Sequence, residues 1–470
     1  MKSFLCAVAA FGAIAAVAGG EETVRNPSVR YIQRTMKKMA GSTAERPVDV
    51  KLLFYGQSIV EQGWHRHVLE TLRERYPTVR FEVKNLAIGG FESPLLIRTA
   101  ESDLYPEYAD LVFFHDYGPT EHVRTMIERL RARTTSEVVM WTSHLKGGDD
   151  VESGRAESDR RSKELIRIAE DNHCMMIHLR RRWADVVASR FGGKPGKLLL
   201  PDGVHLNESA KAFRLYAKIL TDELVRLDGQ DGDEMSGRIV TTPFRQAVKG
   251  NPDGSFDFAF DGNRVVVETG DFRGYYNSSP TKVLLDGREM RGMKELYRHG
   301  RVSSMISWMP LVLCVRAETV PVEETWTLTF LEGSDPKGSR IRYRVDGTVT
   351  GFDGEGTSES DFVSKSGRVK ILAKDFHLWQ YDYFATKRNR PDLYAKPGQW
   401  TCWNTVRQFN DILPTYSQGH EKILIATGMA NGPHVLTFVP SVRSRPPELA
   451  SITVYTPYGH EKARGEECVR

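Results

Sequence analysis

The chain has 470 residues, 40% of them apolar and 27% charged, and its formal net charge is only +4. This length predicts two ordered domains of roughly 150–250 residues each rather than one core or a disordered chain. The balanced charge without a long basic run excludes an electrostatic case for nucleic-acid binding, and five cysteines in so long a chain exclude a disulfide framework.

The chain begins with the pattern of an export signal. Lys2 precedes an apolar run from Phe4 to Ala18 that ends in the small-x-small sequence AVA. The run is shorter than the ~20 residues that span a bilayer, and the pattern is typical of a cleavable secretory signal. We therefore predict a signal peptide over residues 1–18, cleavage after Ala18, a secreted or periplasmic protein, and no stable membrane insertion.

The next two hundred or so residues alternate between short apolar strands and segments of helical spacing. The predicted strands are 51–55, 80–85, 111–115, 137–142 and 174–178. The predicted helices are 24–39, 60–75, 121–132, 160–172, 182–191 and 208–227. This alternation predicts a parallel sheet covered by helices on both faces, with its chemistry in the loops at the carboxyl ends of the strands.

A Gly- and Asp-rich segment, 228–236, is predicted to bound this half, and the periodicity changes beyond it. The predicted strands there are 256–260, 264–268, 282–285, 326–330, 341–345, 368–372, 422–427, 435–439 and 452–456. The sequence Asp261-Gly262-Asn263 is predicted to turn the chain, and Asp286-Gly287 is a short-hairpin signal. Many short strands between turn residues predict an antiparallel β-sandwich. We therefore predict an α/β domain over 19–230 and a β-sandwich domain over 237–470.

Three loops of the first half carry residues suited to catalysis. Ser58 lies in the sequence FYGQS, where the first strand gives way to a helix whose N–H groups and dipole face the loop. Gly90 lies in NLAIGG after the second strand, where its N–H can approach a substrate oxygen. Asp202 and His205 lie three apart in PDGVH, so the carboxylate can orient the imidazole towards a serine. Taken alone, the first loop is better explained as an N-cap, the second as a turn and the third as a helix entry.

In order and spacing these blocks resemble the SGNH hydrolase superfamily, the GDSL-type esterases and lipases, over about residues 50–227. The resemblance implies a flavodoxin-like three-layer α/β/α sandwich with a parallel sheet. It further implies Ser58 as nucleophile, His205 as base and Asp202 as the residue that orients it, with the N–H groups of Ser58 and Gly90 as oxyanion donors. Gln57 replaces the family's usual Asp, and the resulting GQS resembles carbohydrate esterases that deacetylate sialic acids.

The family's third block, Gly-x-Asn-Asp, is altered in this chain. The sequence after the third strand is HDYGPTE, and matching its glycine to the family's puts Thr120 at the position of the Asn, as a weaker oxyanion donor. His115, Tyr117 and His144 are alternative donors, and with Gln57 they are the predicted substrate-binding residues. One lost donor costs about 3 kcal/mol of transition-state stabilisation, so either a substitute exists or activity is low.

The resulting hypothesis is an exported serine esterase that removes O-acetyl or other short acyl groups from carbohydrates without a metal or organic cofactor. Two alternatives remain open: a carbohydrate O-acetyltransferase, and a non-catalytic carbohydrate-binding protein with a decayed hydrolase half. In the second half, Trp379, Trp400 and Trp403 form either a sugar-stacking platform or core packing. The acidic, Gly-rich sequence 352–361 reads as a turn rather than a Ca²⁺ site because it lacks the full calcium-loop spacing.

Overall fold

The structure is a computed structural model that describes residues 26–227, 236–270, 280–413, 419–442 and 447–459. The predicted signal peptide, and the segment 228–235 that holds most of the predicted domain boundary, lie outside the described residues. None of the helices in the described part of the chain has the length and apolarity needed to cross a bilayer.

The first domain is built on a five-stranded parallel sheet in the order β2-β1-β3-β4-β5. Its strands are β1 Asp49–Gly56, β2 Arg80–Asn85, β3 Leu111–His115, β4 Glu137–Trp141 and β5 Met175–Ile177. Its helices are α1 Gln33–Ala40, α2 Ser58–Glu61, α3 His65–Arg75, α4 Ser93–Asp103, α5 Thr120–Arg133, α6 Val151–Ala156, α7 Arg160–Asp171, α8 Leu179–Arg190, α9 Gly196–Leu199 and α10 Ala210–Thr221. The predicted α/β/α sandwich with a flavodoxin-like strand order is confirmed.

Alternate side chains of β1 pack into two separate cores, one on each face of the sheet. Leu52 and Phe54 belong to the core shared with α3 and α10, whereas Leu53 and Tyr55 belong to the core shared with α4 and α5. Because successive residues of a strand face opposite ways, a central parallel strand covered on both faces must be apolar throughout. This explains the uninterrupted apolar run that ends just before the GQS sequence.

The second domain, residues 236–459 and called the β domain below, contains two larger antiparallel sheets, one of eight strands and one of five, besides a small two-stranded sheet. Its strands are β6 Arg238–Pro243, β7 Lys249–Gly250, β8 Phe256–Thr269, β9 Thr281–Leu285, β10 Arg288–Glu289, β11 Tyr297–His299, β12 Glu324–Phe330, β13 Arg342–Gly347, β14 Gly351–Thr357, β15 Phe362–Val363, β16 Lys370–Ile371, β17 Trp400–Arg407, β18 Ile412–Leu413, β19 Lys422–Pro440 and β20 Leu449–Thr456. Two short helices complete it, α11 Phe244–Ala247 and α12 Trp379–Tyr381. The prediction of a second, mostly antiparallel β domain is confirmed.

One turn predicted in the β domain is wrong, and a second is confirmed only in its last part. The sequence Asp261-Gly262-Asn263 does not turn the chain, because β8 runs through it and pairs with β19 and β20. Gly262 is needed there for a different reason: a Cβ on it would lie 2.5 Å from the carbonyl oxygen of Tyr455 on β20. A glycine inside a strand thus marks the close approach of another backbone. In the predicted turn 352–361, residues 352–356 lie within β14, where Asp353 accepts hydrogen bonds from Ser366, whereas residues 358–360 do turn the chain.

The three tryptophans singled out in the sequence have different environments. Trp403 is buried and stacks on Trp326, as expected for core packing. Trp379 and Trp400 are 47% and 59% exposed. The described cysteines, Cys174, Cys314 and Cys402, are free thiols.

One segment of the β domain, residues 301–309, packs against the loop that follows β2. We call these two stretches the brace segment (301–309) and the glycine loop (86–90). Arg301 donates to the carbonyl of Leu86 and pairs with the buried carboxylate of Asp103. Met309 belongs to the core between the sheet, α4 and α5. The two domains therefore meet beside the carboxyl ends of β1 and β2, where the predicted site lies.

Candidate active site

Ser58 is the first residue of α2, immediately after the end of the central strand β1. The carbonyl oxygen of the Gln57 side chain caps the helix by accepting the N–H of Ile59 at 2.8 Å. Gly56 permits this strand-to-helix turn because a Cβ there would lie 1.9 Å from the carbonyl oxygen of His115 on β3. The hydroxyl is consequently held at the carboxyl edge of the sheet, at the start of a helix.

The three residues predicted to be catalytic lie together. The Nε2 atom of His205 is 2.9 Å from the Oγ of Ser58, and its Nδ1 is 2.7 Å from the Oδ2 of Asp202. An ionised carboxylate can only accept, so Nδ1 carries the proton and the neutral ring accepts the Ser58 hydroxyl at Nε2. These are the distances required for a nucleophile, its base and the group that orients the base.

The other oxygen of Asp202 organises its own loop, residues 201–207, which we call the catalytic loop. Oδ1 accepts the backbone N–H groups of Val204 at 2.9 Å and His205 at 2.7 Å. The hydrogen bond from His205, with these backbone donors, lowers the pKa of Asp202 to about 2. Asp202 is therefore ionised throughout the neutral range and holds His205 in a single tautomer.

Four contacts fix the catalytic loop to the rest of the α/β domain. The side-chain amide of Gln62 makes two hydrogen bonds with the backbone of Leu206, accepting its N–H and donating to its carbonyl. On the opposite side, Nε2 of His144 donates to the carbonyl of Val204, and the N–H of Gly147 donates to the carbonyl of Gly203. The sequence analysis missed Gln62, although its position four residues after Ser58 on the same turn is a usable signal.

Gln57 and His115, which the sequence assigns to substrate binding, lie buried beneath Ser58. The amide nitrogen of Gln57 is 3.4 Å from Nδ1 of His115, whose Nε2 is 3.1 Å from the hydroxyl of Ser143. Burial lowers the pKa of His115 well below its usual range, so the ring is neutral. Nδ1 of His115 then accepts from the amide nitrogen of Gln57. This orients the amide so that its oxygen accepts from the N–H of Ile59 and the hydroxyl of Ser58.

Two acceptors compete for the hydroxyl proton of Ser58. The side-chain oxygen of Gln57 and Nε2 of His205 both lie 2.9 Å from the Oγ atom. A hydroxyl has one proton to donate, so only the share directed to His205 is ready for transfer.

The glycine loop lies beside α2. Gly90 has a φ of +80°, which favours glycine, and a Cβ on it would lie 2.7 Å from the Cε of Met309. The loop is tied to the end of β1 by the N–H of Ile88, which donates to the carbonyl of Gly56. Among the described backbone hydrogen bonds, the N–H groups of Ser58 and Gly90 have no loop or turn acceptor.

Three of the four candidate substitutes for the family's Asn are engaged elsewhere, whereas the buried hydroxyl of Tyr117 has no hydrogen-bond partner among the described residues. The hydroxyl of Thr120 donates to Glu164, so the predicted role as an oxyanion donor would require that hydrogen bond to break. Both ring nitrogens of His115 have partners, and the N–H of His144 is used by the catalytic loop. Tyr117 packs its ring between Lys146 and Arg161, and burial raises the pKa of its hydroxyl.

His144 should make the stability of the protein fall in mild acid. Burial lowers its pKa from 6.5 to about 4, so the folded state resists a proton that the unfolded chain accepts. This contribution is complete above pH 6.5 and is lost as the pH falls towards 4. In His144→Gln a non-titrating amide can still donate to Val204. We expect the wild type to lose roughly 1–2 kcal/mol relative to this variant between pH 7 and pH 5.

The measurement is urea unfolding of both proteins at several pH values. Any general effect of the substitution is the same at each pH and cancels in the comparison. Parallel stability curves for the two proteins between pH 7 and pH 5 would contradict the prediction.

No group of three or more His, Cys, Asp or Glu side chains suited to a metal ion occurs within the described ranges.

Comparison with known proteins returns solved structures only, since no family model and no curated protein matches the chain. The chain is similar to a two-domain esterase active on acetylated mannans, with 13% identity and a TM-score of 0.33 over 91% of this chain and 96% of that one. It is similar to an acetylxylan esterase from Geobacillus stearothermophilus, with 18% identity and a TM-score of 0.33 over 37% of this chain and 94% of that one. It is also similar to a GDSL-like lipase from Parabacteroides merdae, with 16% identity and a TM-score of 0.31 over 38% of this chain and 96% of that one. These structural neighbours are ester hydrolases, and at such scores they carry no weight in the proposals below.

Proposed function

We propose that this chain is a serine esterase of the SGNH type that removes acetyl or other short acyl groups from carbohydrates. The observation that carries the proposal is the continuous contact from Ser58 through His205 to Asp202, with 2.9 Å and 2.7 Å between the interacting atoms. This contact supports nucleophilic catalysis rather than a decayed hydrolase fold, because drift without selection would not preserve three side chains in register.

The reaction proceeds in two steps. The Oγ of Ser58 attacks the ester carbonyl carbon while its proton passes to Nε2 of His205, and the N–H groups of Ser58 and Gly90 donate to the resulting oxyanion. The bond to the sugar oxygen then breaks, and His205 returns the proton to that oxygen. Water attacks the acyl-serine, loses its proton to His205 and releases the carboxylic acid, and Ser58 regains its hydrogen.

The exposure of the site favours water over a sugar hydroxyl as the second acceptor. The side chains of His205 and Asp202 are 42% and 54% exposed. Enzymes that transfer reactive intermediates to another acceptor exclude water from the site. The solvent exposure of His205 therefore supports hydrolysis. The O-acetyltransferase alternative is tested by product analysis with acceptor sugars present.

A cluster of aromatic rings next to the glycine loop supports a carbohydrate substrate. We call Trp308, Trp379, Tyr383 and Phe384 the aromatic patch. Their ring centroids are 4.6–5.8 Å apart from one to the next, and Trp308 and Trp379 are about half exposed. Exposed aromatic faces are apolar surfaces on which the apolar face of a pyranose can pack. Trp379 also stacks on His377, which contacts Phe91 directly after the glycine loop.

Trp379→Ala should raise KM for an acetylated oligosaccharide by about 3–10-fold and leave the hydrolysis of an aryl acetate unchanged. A stacking contact is worth about 1 kcal/mol, and the small ester does not reach the patch. Acetate release from the oligosaccharide and chromophore release from the aryl ester give the two values. Trp400→Ala removes a comparably exposed indole on β17 and serves as the control. Equal effects of the two variants on the oligosaccharide would remove the support for a sugar-binding patch.

We also propose, from the sequence, that the protein is exported from the cytoplasm. It rests on Lys2 and the apolar run that ends at Ala18, and these residues lie outside the described part of the chain. Mass determination of the mature protein recovered from outside the cytoplasm tests it, with Gly19 as the expected first residue.

A further inference from the structure

We propose that Trp308 of the β domain is a positioning residue that aims the N–H of Gly90 at the oxyanion, so that the second domain completes the catalytic site of the first. This inference rests on the esterase function proposed above. It concerns how the oxyanion site is built in a chain whose third block lacks the family's Asn.

The contact that carries the inference is made by the indole ring. Nε1 of Trp308 donates to the carbonyl oxygen of Gly89 at 2.7 Å. That carbonyl and the N–H of Gly90 belong to the same peptide unit. In a planar trans peptide the C=O and N–H bonds point in opposite directions, so a donor fixed on the oxygen fixes the direction of the N–H. The hydrogen bond also polarises the peptide and strengthens its N–H as a donor.

Glycine makes this fixing necessary. Gly89 and Gly90 have no side chains to restrict the rotation of the peptide between them, and a glycine pair has more backbone freedom than any other. Electrostatic stabilisation of an oxyanion requires donors that are already oriented before the reaction. A flexible glycine loop therefore needs an external partner, and the indole N–H supplies it.

The brace segment restrains the same loop at two further points. Arg301 donates to the carbonyl of Leu86 at 2.6 Å, at the start of the loop. The methyl group of Met309, which is buried in the core of the α/β domain, lies against Gly90. Both ends of the glycine loop are thus held by residues that lie more than two hundred positions later in the chain.

Gly89 is also contacted from the α/β domain, by the side chain of Glu61. A Cβ on Gly89 would lie 2.3 Å from a carboxylate oxygen of Glu61 and 3.2 Å from Nε1 of Trp308. Glu61 is the last residue of α2, the helix that begins with Ser58. The glycine is therefore packed between the helix of the nucleophile and the indole of the β domain.

The test is Trp308→Phe, which keeps an aromatic ring beside Phe384 and removes the N–H donor. We expect kcat for a short aryl acetate to fall about tenfold with KM changed by less than about twofold, because the lost contact matters once the oxyanion forms. Affinity for a boronic acid that forms a tetrahedral adduct on Ser58 should fall by a similar factor. Trp400→Phe, which changes an exposed indole on β17 outside the aromatic patch and the glycine loop, should leave both values unchanged.

The outcomes separate this inference from the esterase proposal. Turnover that survives in Ser58→Ala would refute the esterase and the role of Trp308 together. Turnover that depends on Ser58 but is unchanged in kcat by Trp308→Phe would refute only the positioning role, and so would an increase confined to KM. Thermal melting of each variant is measured in parallel, and a large drop for Trp308→Phe alone would reassign the residue to holding the two domains together.

Discussion

Ser58→Ala should reduce the hydrolysis of a short-chain aryl acetate by roughly 10⁴-fold or more, to the background rate. The substitution removes the only atom that can form the acyl intermediate, while His205 and the backbone donors stay in place. The Ser58 side chain contacts Gln57 and His205 at the surface of the site rather than filling the core. The free energy of unfolding should therefore change by less than about 1 kcal/mol.

Release of the chromophore gives the rate, and urea unfolding gives the stability. Ser189→Ala, at an exposed serine of α8, is the matched control and should retain full activity. Unchanged turnover in the Ser58 variant would end the esterase hypothesis. If the variant loses both turnover and folding, covalent labelling of Ser58 in the wild type by a serine-reactive reagent becomes the test, and the absence of labelling would contradict the hypothesis.

Asp202→Asn should be more damaging than Asp202→Ala, which is the reverse of the order expected from size and charge alone. In the wild type, Oδ1 accepts two backbone N–H groups and Oδ2 faces Nδ1 of His205. An asparagine would leave its oxygen on the two backbone donors and turn its NH₂ group towards Nδ1. The imidazole would then carry its proton on Nε2 and could not accept one from Ser58.

We expect kcat/KM to fall roughly 10²–10⁴-fold in Asp202→Asn. The loss in Asp202→Ala should be smaller by a factor of at least about ten. In buried triads the asparagine change costs about 10⁴-fold, and the 54% exposure of Asp202 lets water reorient part of the population here. Steady-state kinetics on the aryl acetate measure both variants, and His205→Ala sets the floor for a site without a base. Equal losses in the two Asp202 variants would contradict the tautomer argument.

The positions of Ser58, Asp202 and His205 in the fold could be predicted because their signals are local. Ser58 follows an apolar strand and precedes a helix, and Asp202 and His205 share one short loop, so each block can be recognised within a few residues. The helical and strand periodicities of residues 49–221 were equally local, and the α/β sheet formed as predicted. Gly262 failed as a turn signal because a glycine in sequence does not reveal whether its backbone turns or is approached by a distant carbonyl.

The roles of the polar residues around the serine could not be read from the sequence. The sequence predicts that His115, His144 and Gln57 bind substrate, with the two histidines as alternative oxyanion donors in place of the family's Asn. In the fold, neighbouring strands and loops occupy their donors and acceptors: His115 with Gln57 and Ser143, and His144 with the catalytic loop. A buried polar group must find a partner, and the choice of partner depends on which strands are adjacent.

By itself the sequence determined the order of elements, the change of periodicity between the two halves, and the loops that carry Ser58, Asp202 and His205, because these depend on residues close together in the chain. Only the tertiary structure decided that Trp308 and Arg301 hold the glycine loop, since contacts across more than two hundred residues leave no periodic trace in either segment. The physical reason is that a hydrogen bond to a backbone carbonyl places no requirement on the side chain of its partner. Gly89 carries no sign in the sequence that an indole from the second domain donates to it.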